Sequence, residues 1–246
     1  MKAPLETYKK LCKELRMAEM PDIHKHLTEG MTPIEIVITF LEHQSNEKQE
    51  QATKARIKKA GFPRLKTFKE YDFSQQDGVT AEQMKRLSDF IWLEQAFNVC
   101  FLGAPGLGKT HLATALGYAA ASSGYLVCFT TLEGLMRLLK TAEISKASKA
   151  RLGQMKRASM VIIDEMGFMP VTKAEAHLLF SFIGACYETK SLVITSNKGF
   201  EEWAELLGDP ALTTAILDRL TYRCDVIMLN GKSYRLENRK SFLDYY

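Results

Sequence analysis

The run Gly103-Ala104-Pro105-Gly106-Leu107-Gly108-Lys109-Thr110 constrains the fold of this chain more than any other feature, because a β-rich apolar stretch precedes it and a helical one follows. In that context the glycines let the backbone wrap until several N–H groups and a helix N-terminus converge on one anion. The spacing therefore predicts a phosphate site for ATP, with Lys109 against the β- and γ-phosphates and the Thr110 hydroxyl on magnesium, Mg2+. His111, next in the chain, is counted with the cofactor-binding residues.

Two further strand ends carry the chemistry that such a loop needs. Met160-Val161-Ile162-Ile163 is an apolar strand that runs into Asp164 and Glu165. Ligands of open α/β sheets bind at the carboxyl ends of strands, so Asp164 is the expected metal-side carboxylate and Glu165 the expected catalytic base. A helix N-cap would also explain two acids there; the phosphate loop in the same chain favours the catalytic reading. Leu192-Val193-Ile194-Thr195-Ser196 ends in Asn197, whose amide has both a donor and an acceptor to orient an attacking water, or to cap the next segment. Arg219 lies in a helix expected after Pro210. From the residues alone it is equally a guanidinium supplied to an adjacent subunit's γ-phosphate, a partner for Asp218, or a solvated arginine.

β-Rich runs near 99–102, 126–130, 160–163, 192–196 and 226–229 alternate with helical stretches such as 111–122 and 174–187. This alternation predicts an α/β fold, a parallel five-stranded sheet covered by helices. Ahead of it, residues 5–60 read as helical. Thr32-Pro33-Ile34-Glu35 forms a capping box, and Ile36, Val37, Phe40 and Leu41 form an apolar stripe. Gly61-Phe62-Pro63 ends that pattern, so a small all-helical N-terminal domain is expected over 1–66 and the ATPase domain over 67–246. A second capping box at Thr80 predicts a helix carrying Met84, Leu87, Ile91 and Phe97.

Composition excludes little. The chain has 246 residues, 46% of them apolar, and a net charge of +4, too small by itself to argue for nucleic acid. Its five cysteines lack metal-ligand spacing, and Cys100 and Cys128 fall in strand-like runs as buried thiols. His24 and His26 have no supporting ligand pattern. No stretch approaches the length of a membrane span and the first residues lack a signal-peptide core, so a cytoplasmic protein with no membrane partner is expected.

Together these motifs resemble the AAA+ ATPases. Arg56-Ile57-Lys58-Lys59-Ala60-Gly61-Phe62-Pro63-Arg64-Leu65-Lys66-Thr67-Phe68, Tyr71-Asp72-Phe73 and Gly231-Lys232-Ser233-Tyr234-Arg235-Leu236 are similar to the IstB-like family. Its members are ATP-binding helpers encoded beside transposases in bacterial insertion sequences, relatives of DnaC helicase loaders and the DnaA initiator. The resemblance implies a homo-oligomer whose assembly depends on ATP and DNA, binding to duplex DNA, and recruitment or activation of a transposase from the same element. It also implies that Asn197 is sensor 1 and Arg219 an arginine finger, with Arg235 near the nucleotide. Only eleven residues follow Arg235, which leaves no room for a C-terminal helical lid.

Basic residues cluster at 51–70 and 137–157, each stretch with seven Lys or Arg against one acid. Such clusters suit phosphate contacts, and equally a solvated face. The resemblance favours DNA, with Lys54, Arg56, Lys58, Lys59, Lys149 and Arg151 as contacts. Initiator-type relatives place an inserted helix facing DNA where the second cluster lies. A replicative helicase loader would share every catalytic residue, a small-molecule kinase only the phosphate loop, and an assembly switch would hydrolyse ATP slowly.

Overall fold

The structure, a computed structural model, describes residues 2–20, 31–168, 170–237 and 239. His24 and His26 lie outside the described residues. The chain divides into two units, 1–55 and 56–246.

The first unit is helical. Helix α1 spans Lys2–Glu14, and α2, Pro33–Ala60, starts here and crosses the boundary. The Thr32–Glu35 capping box forms, with Thr32 N donating to Glu35 Oε2 at 2.6 Å. Tyr8 and Phe40 meet edge to face at 6.2 Å, and the Gln44 amide satisfies both backbone groups of Ala18, at 2.6 and 2.8 Å. The expected stripe on α2 is only half used. Ile36 and Phe40 are partly buried, whereas Val37 and Leu41 are 49% and 54% exposed among the described residues.

In the second unit β1 (Gln76–Asp77), α3 (Ala81–Leu87) and α4 (Ile91–Glu94) precede β2 (Asn98–Leu102) and α5 (Lys109–Ser122). There follow β3 (Val127–Thr131), α6 (Leu132–Lys140), α7 (Lys146–Arg157), β4 (Met160–Met166), α8 (Lys173–Cys186) and β5 (Ser191–Ser196). The last elements are α9 (Trp203–Leu207), α10 (Pro210–Thr221), β6 (Cys224–Met228), β7 (Asn230–Gly231) and α11 (Tyr234–Glu237). Five strands form one parallel sheet in the order β3-β4-β5-β2-β6, while β1 and β7 pair antiparallel beside it.

Alternate residues of each strand feed a different face, as a period of two requires. Val99, Phe101, Ile162 and Val193 pack with Leu112 and Leu116 of α5. On the other side Cys100, Leu102, Val161, Ile163 and Ile194 pack with Leu179, Trp203 and Ile216. Burial on both faces is what makes these strands continuous apolar runs. Cys100 and Cys128 are buried free thiols, and burial raises the pKa of Cys128.

The helix opened by Thr80 stops at Leu87, earlier than its pattern predicts. Phe90 adopts a left-handed backbone (φ 57°), which turns the chain so that Phe90 and Trp92 enter the core and Ile91 faces solvent. Among the described residues no helix is long and apolar enough to cross a membrane.

Candidate active site

Strand β2 delivers the chain into the phosphate loop and α5 takes it away. Gly103, Gly106 and Gly108 have φ of 144°, 88° and 86°, a region that side chains rarely adopt. At Gly108 a Cβ would also lie 2.5 Å from the Tyr71 ring. Leu107 is buried in the core and anchors the loop from below, and its carbonyl accepts from the Tyr71 hydroxyl at 3.0 Å. Burial pushes that hydroxyl's pKa up to about 12, so it stays a donor. A His111 ring nitrogen lies 2.9 Å from the Thr67 carbonyl, and the ring meets Tyr71 edge on. Lys109 Nζ donates to the carbonyls of Gly103 and Ala104 at 2.6 and 2.7 Å. Burial lowers the pKa of this ammonium; Asp164 opposes the shift and Arg235 adds to it.

A cavity of about 750 Å³ opens over the loop, within the range of small-molecule sites. Pro105, Gly106, Leu107, Gly108, Lys109, Thr110 and His111 line it, and so do Glu165, Thr195 and Asn197 from the ends of β4 and β5. Gly103 and Ala104 do not; their part is to receive the Lys109 ammonium. Tyr71 and Arg235 reach the same cavity, as do Arg64 and Lys66, which the sequence groups with the basic stretch. Tyr234 N donates to Gly106 O at 3.2 Å, which sets α11 against the loop.

Behind the loop lies a hydroxyl-linked acid pair. Asp164, 4% exposed, accepts at Oδ1 from Thr110 Oγ1 (2.9 Å) and from Thr195 Oγ1 (2.5 Å). The Thr195 hydroxyl in turn accepts from Glu165 N at 3.0 Å. Pairing of β4 with β5 shifts register between Ile163 and Met166, and Glu165 sits in that bulge with φ 61°. A bulge re-aims a side chain, and a non-glycine residue held there stores strain. The result is a carboxylate exposed to the cavity directly after one that is buried. The Thr110 and Asp164 oxygens are the hard donors that magnesium takes, and their juxtaposition fits it. Thr195 is the residue that the sequence reading missed. Its signal was faint: one of three hydroxyls in a fully buried strand, where a polar group needs a partner.

The other expected residues lie elsewhere. Arg219 on α10 stays outside the cavity, its guanidinium 4.1 Å from the centroid of the Phe180 ring. Of the six residues expected at DNA, three have partners within the chain. Arg56 Nε donates to Ala121 O at 2.9 Å. Arg151 donates to the carbonyls of Lys59, Ala60 and Phe129, each at 2.8 Å, so its guanidinium caps the end of α2. Lys54 pairs with Glu50 one turn away. Lys58, Lys59 and Lys149 are exposed.

A family model described as IstB-like ATP binding protein matches residues 9–241. The chain is 37% identical to the insertion sequence IS21 ATP-binding protein of Pseudomonas aeruginosa, over 84% of this chain and 78% of that one. It is 32% identical to an IS21-like ATP-binding protein of Bacteroides fragilis, covering 97% and 94%. Among solved structures, the DnaC helicase loader superposes with a TM-score of 0.52 at 21% identity, over 61% of this chain and 87% of that one. AMPPCP-bound DnaA from Aquifex aeolicus gives 0.54 at 18%, over 75% and 60%. At these identities the structures show a shared fold.

Proposed function

We propose that this chain, which belongs to the IstB-like ATP-binding protein family, hydrolyses the ATP it binds and uses that cycle to assemble on duplex DNA and recruit or activate a transposase of the same element. The observation that best supports hydrolysis is the link Thr110–Asp164–Thr195–Glu165. It ties the phosphate loop to the backbone of the residue that presents an exposed carboxylate to the cavity.

Backbone N–H groups of residues 106–110 hold the phosphates, and the Lys109 ammonium turns from the Gly103 and Ala104 carbonyls to phosphate oxygens. The Thr110 and Asp164 oxygens would hold a magnesium ion, which would supply positive charge against the phosphates. Glu165 takes a proton at Oε from the water that attacks the γ-phosphorus while the bond to the β–γ bridging oxygen breaks. Asn197 orients that water with its amide. Arg219 acts in trans: a second copy presents its guanidinium to the departing charge. Turnover therefore needs assembly.

Duplex DNA is held through its phosphates by exposed lysines, Lys58, Lys59 and Lys149 among them, while Arg56 and Arg151 hold the fold beneath them. To test this, immobilised duplex is incubated with the chain, its element's transposase and a non-hydrolysable ATP analogue. Retention of the transposase only when chain and analogue are both present is expected. Equal retention without the analogue would separate ATP from recruitment and defeat the proposal.

A further inference from the structure

Arg219 is neither paired with Asp218 nor free in solvent. Its guanidinium lies over the Phe180 ring at 4.1 Å, within the range of cation–π attraction. Phe180 and Gly184 stand one turn apart on the same face of α8. A Cβ at Gly184 would lie 2.9 Å from Arg219 Nη1, so glycine is what gives the guanidinium its room. None of the ion pairs among the described residues involves Arg219.

We infer that Phe180 and Gly184 are positioning residues for Arg219: the ring is a platform and the glycine a clearance, and together they fix the direction in which the guanidinium leaves the subunit. The inference rests on Arg219 acting on a second copy's nucleotide. The physical need is plain. A flexible arginine that must meet a phosphate across an interface loses entropy on docking, and holding the planar group beforehand reduces that cost. A carboxylate would hold it too, but would neutralise the charge that the neighbour needs. An aromatic face holds it and leaves the charge whole.

Gly184→Ala separates positioning from folding. Alanine favours a helix over glycine, and the obstacle it meets is the movable end of a side chain, so the fold gains while Arg219 is displaced. The variant should melt at or above the wild-type temperature and bind ATP as wild type does. Its DNA-stimulated turnover should fall about ten- to a hundred-fold, the penalty of a misplaced group. Mixed with Lys109→Ala subunits, which lack a working pocket but carry an undisplaced Arg219, it should regain activity. Phe180→Tyr should keep turnover and Phe180→Leu lose it. Wild-type turnover in Gly184→Ala while Arg219→Ala is impaired would overturn the positioning role, as would an impaired Gly184→Ala that mixing does not restore. Wild-type turnover in Arg219→Ala would instead remove the trans reading beneath it.

Discussion

At the scale of residues the site rests on one hydroxyl. Thr195 donates to Asp164 and accepts from Glu165 N, so it fixes the Asp164 carboxylate and the strained backbone of Glu165 at once. Thr195→Val keeps the shape and removes both contacts. Turnover should fall about ten- to a hundred-fold, as for other residues that orient metal ligands, with ATP affinity nearly unchanged and Thr195→Ser restoring activity. Steady-state phosphate release together with nucleotide titration reads both effects. Lys109→Ala should instead lose ATP binding itself, because it removes the cation opposed to the phosphates. Lys109 and Asp164 were legible in the sequence because loop and strand ends are punctuated by glycines and acids in a fixed order. Thr195 was not, since a threonine inside a β-branched run reads as an ordinary strand residue.

At the scale of elements, the ends of helices decide what the basic residues do. Arg151 gives N–H groups to the carbonyls of Lys59 and Ala60, the last residues of α2, and to Phe129 O in β3. Arg151→Ala should therefore lower unfolding stability by about 2 kcal/mol in denaturant titration, the range for hydrogen bonds to a charged group. Lys149→Ala should leave stability where it is. A charge count along the sequence cannot separate these two, because only the fold brings carbonyls to one of them. Helices α6 and α8 are joined by Lys140 Nζ and Glu175 Oε1 at 2.8 Å. The lysine, then the Thr172 amide, pulls the Glu175 carboxyl down to about 2. A carboxyl lowered in the folded state stabilises above its unfolded pKa and loses that contribution as pH falls toward the folded value. The tie should weaken between about pH 5 and pH 2, and Lys140→Ala should raise the midpoint of acid unfolding. Element type was read well from periodicity; ends were not. The break before Phe90 and the bulge that carries β4 on to Met166 come from long-range packing, which no local pattern encodes.

At the scale of the molecule, the alternation of strand and helix predicted a parallel five-stranded sheet, and its carboxyl edge gathers Glu165, Thr195 and Asn197 around one cavity. The order of those strands and the antiparallel pair β1–β7 join distant segments and stayed hidden in the sequence. With a net charge of only +4, the DNA affinity proposed above would have to come from local clusters multiplied by assembly. Affinity in an ATP analogue should fall steeply with salt, and less steeply in Lys58→Glu/Lys59→Glu and in Lys149→Glu, whose assembly is confirmed separately. Unchanged slopes and affinities in both would return these lysines to the solvated surface. The central claim, that Glu165 in its bulge is the base of an ATP-hydrolysing site, is tested most directly by phosphate release in the presence of duplex DNA, with ATP affinity measured alongside. The account predicts that wild type releases phosphate and that Glu165→Gln binds ATP equally well but turns over at least about a hundred-fold more slowly. Wild-type phosphate release from Glu165→Gln would contradict it.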